Sequence, residues 1–303
     1  MKTAYFGTSD FAATVLERLA SSDHRPALVV TPPDRRRGRG RKLAPPPAAD
    51  AARELDLPLH QTADVNVPES VEAVRAAKPA AVAVCAFGQL IKEPLLSEYE
   101  MLNVHPSLIP RWRGAAPIER ALMEGDERTG VTIMRVTAGL DSGPVALQEE
   151  SEIEPGDDCE SLSGRLADLA GDLLVRALAL RGAGSLTYAE QDEELATYAE
   201  KIAPSERRLD PGRSAEELGR VVRALTPHIG AHLELEDGSR LGVRQAAPVA
   251  DGPPAGEIQA GDSELLLGAG EGALRLEVVQ PPGGKPMSAE DFLRGHPVPG
   301  HAR

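Results

Sequence analysis

Asn103 and His105 stand two residues apart in Leu102-Asn103-Val104-His105-Pro106-Ser107-Leu108-Ile109-Pro110, where an apolar run reads as a strand ending at a proline. Side chains at i and i+2 of a strand share one face, so the amide and the imidazole point the same way. An amide donor beside an imidazole suits the attack of an amine on a carbonyl. Preorganised donors aimed at the developing oxyanion lower such a barrier by about 3–4 kcal/mol each. A second stretch, Val136-Thr137-Ala138-Gly139-Leu140-Asp141-Ser142-Gly143, is a glycine-flanked loop between two expected strands, and it can return a carboxylate to the same crevice. There Asp141 would raise the pKa of His105, hold its ring and position a water that relays the proton lost by the amine. Taken singly, Asn-x-His reads as a turn cap beside a packed histidine and Asp141 as an ordinary turn residue; their combination points to chemistry.

The elements that must carry these residues alternate in type. Residues 2–7 suit a strand, Thr8-Ser9-Asp10 supplies N-cap side chains, and Phe11, Val15, Leu16 and Leu19 follow at helical spacing. Further strands are expected over 27–31, 80–86, 101–105, 130–136 and 145–153, and helices over 48–55, 68–77, 115–124 and 161–180. Such alternation implies an α/β domain with a mainly parallel sheet, whose ligand crevice lies at the carboxyl ends of its strands, where Asn103 and His105 fall. After residue 184 the chain turns polar and then, past a helix over 215–225, breaks into short strands over 231–235, 241–244, 257–259, 265–267 and 274–279, a small β-barrel pattern. The expected division is a catalytic domain over 1–184, a linker over 185–207 lying on the surface, and a barrel domain over 208–303.

With 303 residues, 41% of them hydrophobic and 26% charged, the chain has room for two cores and too much apolar content for extended disorder. The net charge of −14 opposes general binding to a polyanion, so any nucleic-acid contact must be local. Cys85 and Cys159 are too few and too far apart for a disulfide framework or a metal site, and read as free thiols. The N-terminus has no apolar run of signal or membrane length, so a cytoplasmic protein without a membrane partner is expected. Gly7-Thr8-Ser9-Asp10 follows the first strand but lacks the G-x-G-x-x-G spacing, which argues against a dinucleotide cofactor.

Asn103-x-His105 with Ser107-Leu108-Ile109-Pro110, together with Leu140-Asp141-Ser142-Gly143, resembles the folate-dependent formyltransferases. That resemblance implies a Rossmann-like formyltransferase domain followed by an OB-like β-barrel, and transfer of a formyl group from 10-formyltetrahydrofolate to an amine, without a metal. Carried to this chain, it makes Asn103, His105 and Asp141 the catalytic set. It assigns Ser107, Leu108, Ile109 and Pro110 to folate binding, and places Phe87, Gly88, Gln89 and Leu90 in the loop whose backbone pairs with the pterin. Ile109 stands where the family usually has Leu, a change of shape that keeps apolarity.

Two stretches bear on which amine is formylated. Between Asp34 and Lys42 lie six cations in nine residues, and Pro33-Asp34-Arg35 with Gly38-Arg39-Gly40 is similar to the inserted loop with which tRNA-directed members of the family enter the acceptor stem. This implies Arg35, Arg39, Arg41 and Lys42 as tRNA contacts and methionyl initiator tRNA as the partner; a monomer is expected. Arg111-Trp112-Arg113-Gly114-Ala115-Ala116-Pro117-Ile118 matches that branch more closely than the purine-pathway or sugar-modifying branches; Trp112 either packs or walls the methionyl pocket. A departure lies in residues 208–303, where ten Lys or Arg face fourteen Asp or Glu. A one-sided cluster of Arg220, Arg223, Arg244 and Lys285 would suffice for such a barrel to hold tRNA. The rivals are a formyltransferase acting on a small amine such as an amino sugar nucleotide, against which the basic loop argues, and a noncatalytic RNA-binding module, against which the polar trio argues.

Overall fold

A computed structural model describes residues 1–37, 42–261, 264–298 and 300–303. They pack as two units: the first comprises 1–114, 128–152 and 163–198, the second 115–127, 153–162 and 199–303.

The first unit is built on seven strands, β1 (Thr3–Gly7), β2 (Pro26–Thr31), β3 (Leu59–Gln61), β4 (Ala81–Cys85), β5 (Met101–His105), β6 (Arg128–Arg135) and β7 (Val145–Glu152), in the order β7-β6-β5-β4-β1-β2-β3. β3, β2, β1, β4 and β5 run parallel, and β6 and β7 add an antiparallel edge pair. Every residue of β1 and β4 is buried, which is why Ala4-Tyr5-Phe6 and Ala81-Val82-Ala83-Val84 are continuous apolar runs with no alternation. The crossovers are α1 (Asp10–Ala20), α2 (Pro47–Glu54), α3 (Pro68–Ala77) and the short α4 (Leu95–Glu98). Ser9 caps α1 by accepting from Ala12 N at 3.3 Å, and α2 and α3 open with Pro in the first turn, where the missing N–H had no helical partner to lose. Val71 and Val74 of α3 close over Phe6, Val82 and Val84 in one apolar cluster, which leaves the carboxyl ends of β1, β4 and β5 side by side at one sheet edge.

The second unit takes α5 (Pro117–Glu124), the start of α6 (Cys159–Gly182), α7 (Ala215–Leu225), strands β8 (Ala231–Glu234), β9 (Arg240–Val249), β10 (Ile258–Ala260), β11 (Leu265–Gly268), β12 (Ala273–Gln280) and β13 (Met287–Ser288), and α8 (Ala289–Gly295). Its strands form an antiparallel sheet in the order β8-β9-β12-β11-β10, with β13 on β12. Leu218, Val221, Val222 and Leu225 of α7 join Leu233, Val243, Leu267 and Leu276 in its core. Ser214 and Glu217 form a reciprocal capping box at the start of α7. The two sheet edges are joined by the C-terminal residues: Arg303 N donates to Glu234 O at 2.8 Å and Ile258 N to Gly300 O at 3.0 Å, so the tail completes the barrel. β9 runs on to Val249, past the expected end at 244, with register shifts on either side of Gln245.

Candidate active site

β5 pairs with β4 through Val84 and Asn103 and with β6 through His105 and Thr132, so the expected motif lies within the sheet at the end of a parallel strand. Both side chains reach one carboxylate. Asn103 Nδ2 donates to Asp141 Oδ1 at 3.3 Å, and His105 Nδ1 lies 3.6 Å from Asp141 Oδ2, which also accepts from Gly114 N at 2.9 Å. The three residues expected to act together therefore stand together, with His105 only 4% exposed.

The hydrogen-bond pattern sets the tautomer. His105 Nε2 lies 2.8 Å from the main-chain oxygen of Trp112, and a carbonyl can only accept, so Nε2 carries the hydrogen and Nδ1 is the atom that faces Asp141. A bare Nδ1 opposite a carboxylate oxygen is a seat for one proton. Burial pushes the pKa of His105 below the ordinary histidine value, and it outweighs the opposing pull of Asp141 and of the Trp112 carbonyl. The carboxylate does act in the expected direction, but the net shift is the reverse of the expected rise, because the imidazole lies inside the sheet where its charged form is poorly solvated. With Nε2–H already committed, the bare Nδ1 of His105 is free to accept a proton, and Asn103 Nδ2 has a second hydrogen left to donate.

Asp141 reaches this point by an indirect route. β6 runs antiparallel to β5, so its end at Arg135 lies opposite Leu102, at the far end of β5 from His105. The loop over 136–144 doubles back, with Asp141 held at φ +45°. Gly143 is required there, since a Cβ at that position would overlap the main-chain oxygen of Arg135. The loop is braced by Gln191, whose Nε2 donates to Asp141 O at 2.9 Å and Gly143 O at 2.6 Å while its Oε1 accepts from Arg113 Nη2 at 2.6 Å. Arg113 is 2% exposed and pairs with Glu193 at 2.8 Å. Gln191, Arg113 and the Trp112 carbonyl are parts of the site that the sequence motifs do not reveal. Trp112 itself is buried, with the Arg111 guanidinium 4.4 Å above its ring.

The expected folate residues divide by exposure. Ser107 and Ile109 are buried: Ser107 Oγ donates to Arg111 O at 2.6 Å, Ser107 O accepts from Thr132 Oγ1 at 2.7 Å, and Ile109 O accepts from Gln148 Nε2 at 2.9 Å. Leu108 and Pro110 are half-buried and form the open side of this turn. In the neighbouring loop Phe87 packs on Phe6, Thr8 Oγ1 donates to Phe87 O at 2.9 Å, and Gln89 is tied to Val65 N and Thr62 O. Gly88, at φ +72°, has open space where a Cβ would stand, and Leu90 is exposed.

The basic loop begins as a hairpin, Arg35–Arg37 pairing antiparallel with Lys42–Ala44. Arg35 is exposed at its base and Lys42 at its far end, opposite Arg37; Arg39 and Arg41 lie outside the described residues. In the second unit the four cations singled out from sequence do not all face one site. Arg220 Nε donates to Met123 O at 3.1 Å, Arg223 is held down in pKa by burial, and Arg244 bonds Gln280 Oε1. A cavity of about 670 Å³ is lined instead by Arg207, Arg208, Arg240 and Arg244, with His232 and Glu234 among its other walls. Cys85 and Cys159 are buried free thiols. Among the described residues no cluster of three or more His, Cys, Asp or Glu side chains could hold a metal ion.

Two family profiles match the chain, one described as formyl transferase over residues 1–178 and one as formyl transferase, C-terminal domain, over residues 201–297. A methionyl-tRNA formyltransferase of Methylococcus capsulatus is 43% identical over 305 residues, covering 99% of this chain and 98% of the relative. One from Methylobacillus flagellatus is 42% identical over 98% of this chain and 97% of its own. Among solved structures, HypX from Aquifex aeolicus in complex with tetrahydrofolic acid superposes with a TM-score of 0.69 at 17% identity; the match covers 98% of this chain and 48% of that one, and speaks for the fold alone.

Proposed function

The chain belongs to the formyl transferase family, and on that premise we propose that it transfers the formyl group of 10-formyltetrahydrofolate to the α-amino group of methionyl initiator tRNA. The observation that carries this reading is one carboxylate, Asp141, lying within 3.3 Å of the Asn103 amide and 3.6 Å of the His105 ring.

The folate, when bound, supplies the formyl carbon and the nitrogen that leaves it. A flat, amide-rich ring fits the residues at the sheet edge: the open backbone at Gly88, and the apolar Leu90 and Leu108 on its margins. In the reaction the methionyl nitrogen forms a bond to the formyl carbon and the bond from that carbon to the folate nitrogen breaks. Asn103 directs its second Nδ2 hydrogen at the formyl oxygen, where negative charge develops. His105 accepts the proton lost by the amine on Nδ1, with Asp141 compensating the charge, and the same proton then goes to the departing nitrogen, so the pair ends as it began. Burial keeps the imidazole neutral and ready to accept. The test is incubation with formyltetrahydrofolate and charged initiator tRNA, followed by mass measurement of the aminoacyl group. The formylated product forms with the wild type, and His105→Ala slows it by roughly a hundredfold or more with little change in tRNA affinity. Near-normal turnover of that variant refutes the assignment.

The remaining assignments belong to the same proposal. The segment of the basic loop that carries Arg35, Arg39, Arg41 and Lys42 contacts RNA phosphates, and the arginine-lined cavity of the second unit offers charge to the same backbone despite the acidic balance around it. The functional division is a catalytic part over 1–184 and a tRNA-assisting part over 208–303, and of the expected linker over 185–207 the residues up to 198 pack with the first unit. Among the described residues no helix is long and apolar enough to cross a membrane, and we take the chain to act as a cytoplasmic monomer. Light scattering at working concentration, giving a dimer mass, overturns the last point.

A further inference from the structure

Polarity assigns residues 189–198 to a surface linker, and none of them falls in either family profile. Within the first unit they are instead bonded to both loops that hold the reacting groups. Ala189 and Val145 exchange main-chain bonds at 2.8 and 2.9 Å, which seats the segment beside β7. Gln191 then donates to the main-chain oxygens of Asp141 and Gly143. Farther on, Thr197 surrounds Trp112: its Oγ1 accepts from Trp112 N at 2.9 Å, its O accepts from Arg113 N at 2.9 Å, and its N donates to Pro110 O at 3.1 Å. Trp112 is a non-glycine residue at φ +64°, a conformation its neighbours must hold in place. Its carbonyl is the acceptor that fixes His105 Nε2–H.

We infer that Thr197 and Gln191 are positioning residues for the transfer, Thr197 setting the histidine tautomer through the Trp112 carbonyl and Gln191 aiming the Asp141 carboxylate through its main chain. This rests on the reading of Asn103, His105 and Asp141 given above. Neither residue touches the reacting atoms. Each ties one loop of the site to the same ten-residue segment, so the imidazole and its carboxylate are spaced by a common brace. Arg113 and Glu193 lock that brace in place: the Gln191 amide oxygen accepts from the Arg113 guanidinium, which Glu193 holds by a paired contact.

The test compares Thr197→Val, Thr197→Ser and Gln191→Glu in single-turnover formyl transfer to charged tRNA across pH, with thermal unfolding measured on each. Valine removes the acceptor for Trp112 N, while serine keeps it. Glutamate keeps the oxygen facing Arg113 but replaces the two donors to Asp141 O and Gly143 O. The expected result is a kcat lower by on the order of tenfold to a hundredfold for Thr197→Val and Gln191→Glu, with KM for both substrates within about threefold. The Trp112 carbonyl favours the protonated imidazole, so in Thr197→Val the acid limb of the kcat profile moves to lower pH, and Thr197→Ser restores both rate and limb. Wild-type kcat in the valine and glutamate variants overturns the inference. So does a loss of rate that merely follows a loss of melting temperature, with the acid limb unmoved. His105→Ala is run alongside: if it stays active, the parent reading fails, whereas an inactive His105→Ala beside fully active Thr197→Val and Gln191→Glu sinks the positioning role alone.

Discussion

Replacing Asp141 by Asn exchanges one carboxylate oxygen for an amide nitrogen and removes the charge from a group that takes part in three interactions. The carboxylate accepts from Asn103 Nδ2 at 3.3 Å and from Gly114 N at 2.9 Å, and its Oδ2 lies 3.6 Å from His105 Nδ1. An asparagine must turn an N–H towards one of those donors and loses the charge that balances a protonated His105. At a separation near 4 Å and an effective dielectric near 20, that balance is worth about 4 kcal/mol, or about three decades in rate if the imidazolium is fully formed in the transition state. Relaxation and water will recover part of it, so kcat should fall between about a hundredfold and a thousandfold. The assay is single-turnover appearance of the formylated aminoacyl group at saturating folate and tRNA, with affinity for charged tRNA measured separately. A variant within tenfold of wild type, or one whose whole defect lies in tRNA affinity, would show that the carboxylate does not balance a proton gained by His105.

Because burial lowers the pKa of His105 and the neutral ring is the active form, kcat should be level from about pH 8 down to the ordinary histidine value near 6.5 and decline only below it; a decline that starts above pH 7 contradicts a depressed histidine. Gly143→Ala would drive a Cβ into Arg135 O, a main-chain atom that cannot move aside, so it should cost about 1–3 kcal/mol of stability and depress kcat by displacing Asp141. Calorimetry and turnover at wild-type levels would remove the case for that brace. Ser214→Ala breaks the capping box of α7 and should lower unfolding stability by about 1 kcal/mol at neutral pH. Glu217 is held down at about 2, first by Ser214 N–H, then by Arg213 and the Ser214 hydroxyl. Its contribution is therefore complete above the ordinary glutamate value near 4.3 and is lost as pH falls towards 2, a window that urea melts at several pH values can trace. Neutralising Arg35 and Lys42 together should raise KM for tRNA and make the plot of log kcat/KM against log salt shallower by about one unit for each RNA phosphate that no longer meets a cation; an unchanged slope excludes the hairpin from RNA binding.

Asn103 and His105 were legible because a strand has a period of two, and that period survives any error in the ends of β5. The parallel sheet was legible for a similar reason, since runs such as Ala81 to Cys85 have no polar face to show. Asp141 was legible as a candidate by its glycine-flanked loop and by resemblance, but its route was not, because the loop doubles back along β5 from the far end and needs a positive φ at a non-glycine residue. The direction of the His105 pKa could not be read at all: composition shows a nearby carboxylate, whereas burial depends on how β4, β5 and β6 assemble around the ring. Gln191 and Thr197 left no trace either, since they act on main-chain atoms and sit in a polar segment with every mark of a linker. Closure of the barrel by residues 300–303 escaped for want of length, four residues being too few to carry a pattern.

The direct measurement is nitrogen-15 NMR of the His105 ring in histidine-labelled protein, titrated through neutral pH, with His105→Gln used to assign the signals. The account predicts a neutral ring bearing its hydrogen on Nε2, bare at Nδ1, and gaining a second proton only below the ordinary histidine range. A ring protonated on Nδ1, or one that stays doubly protonated above pH 7, contradicts it.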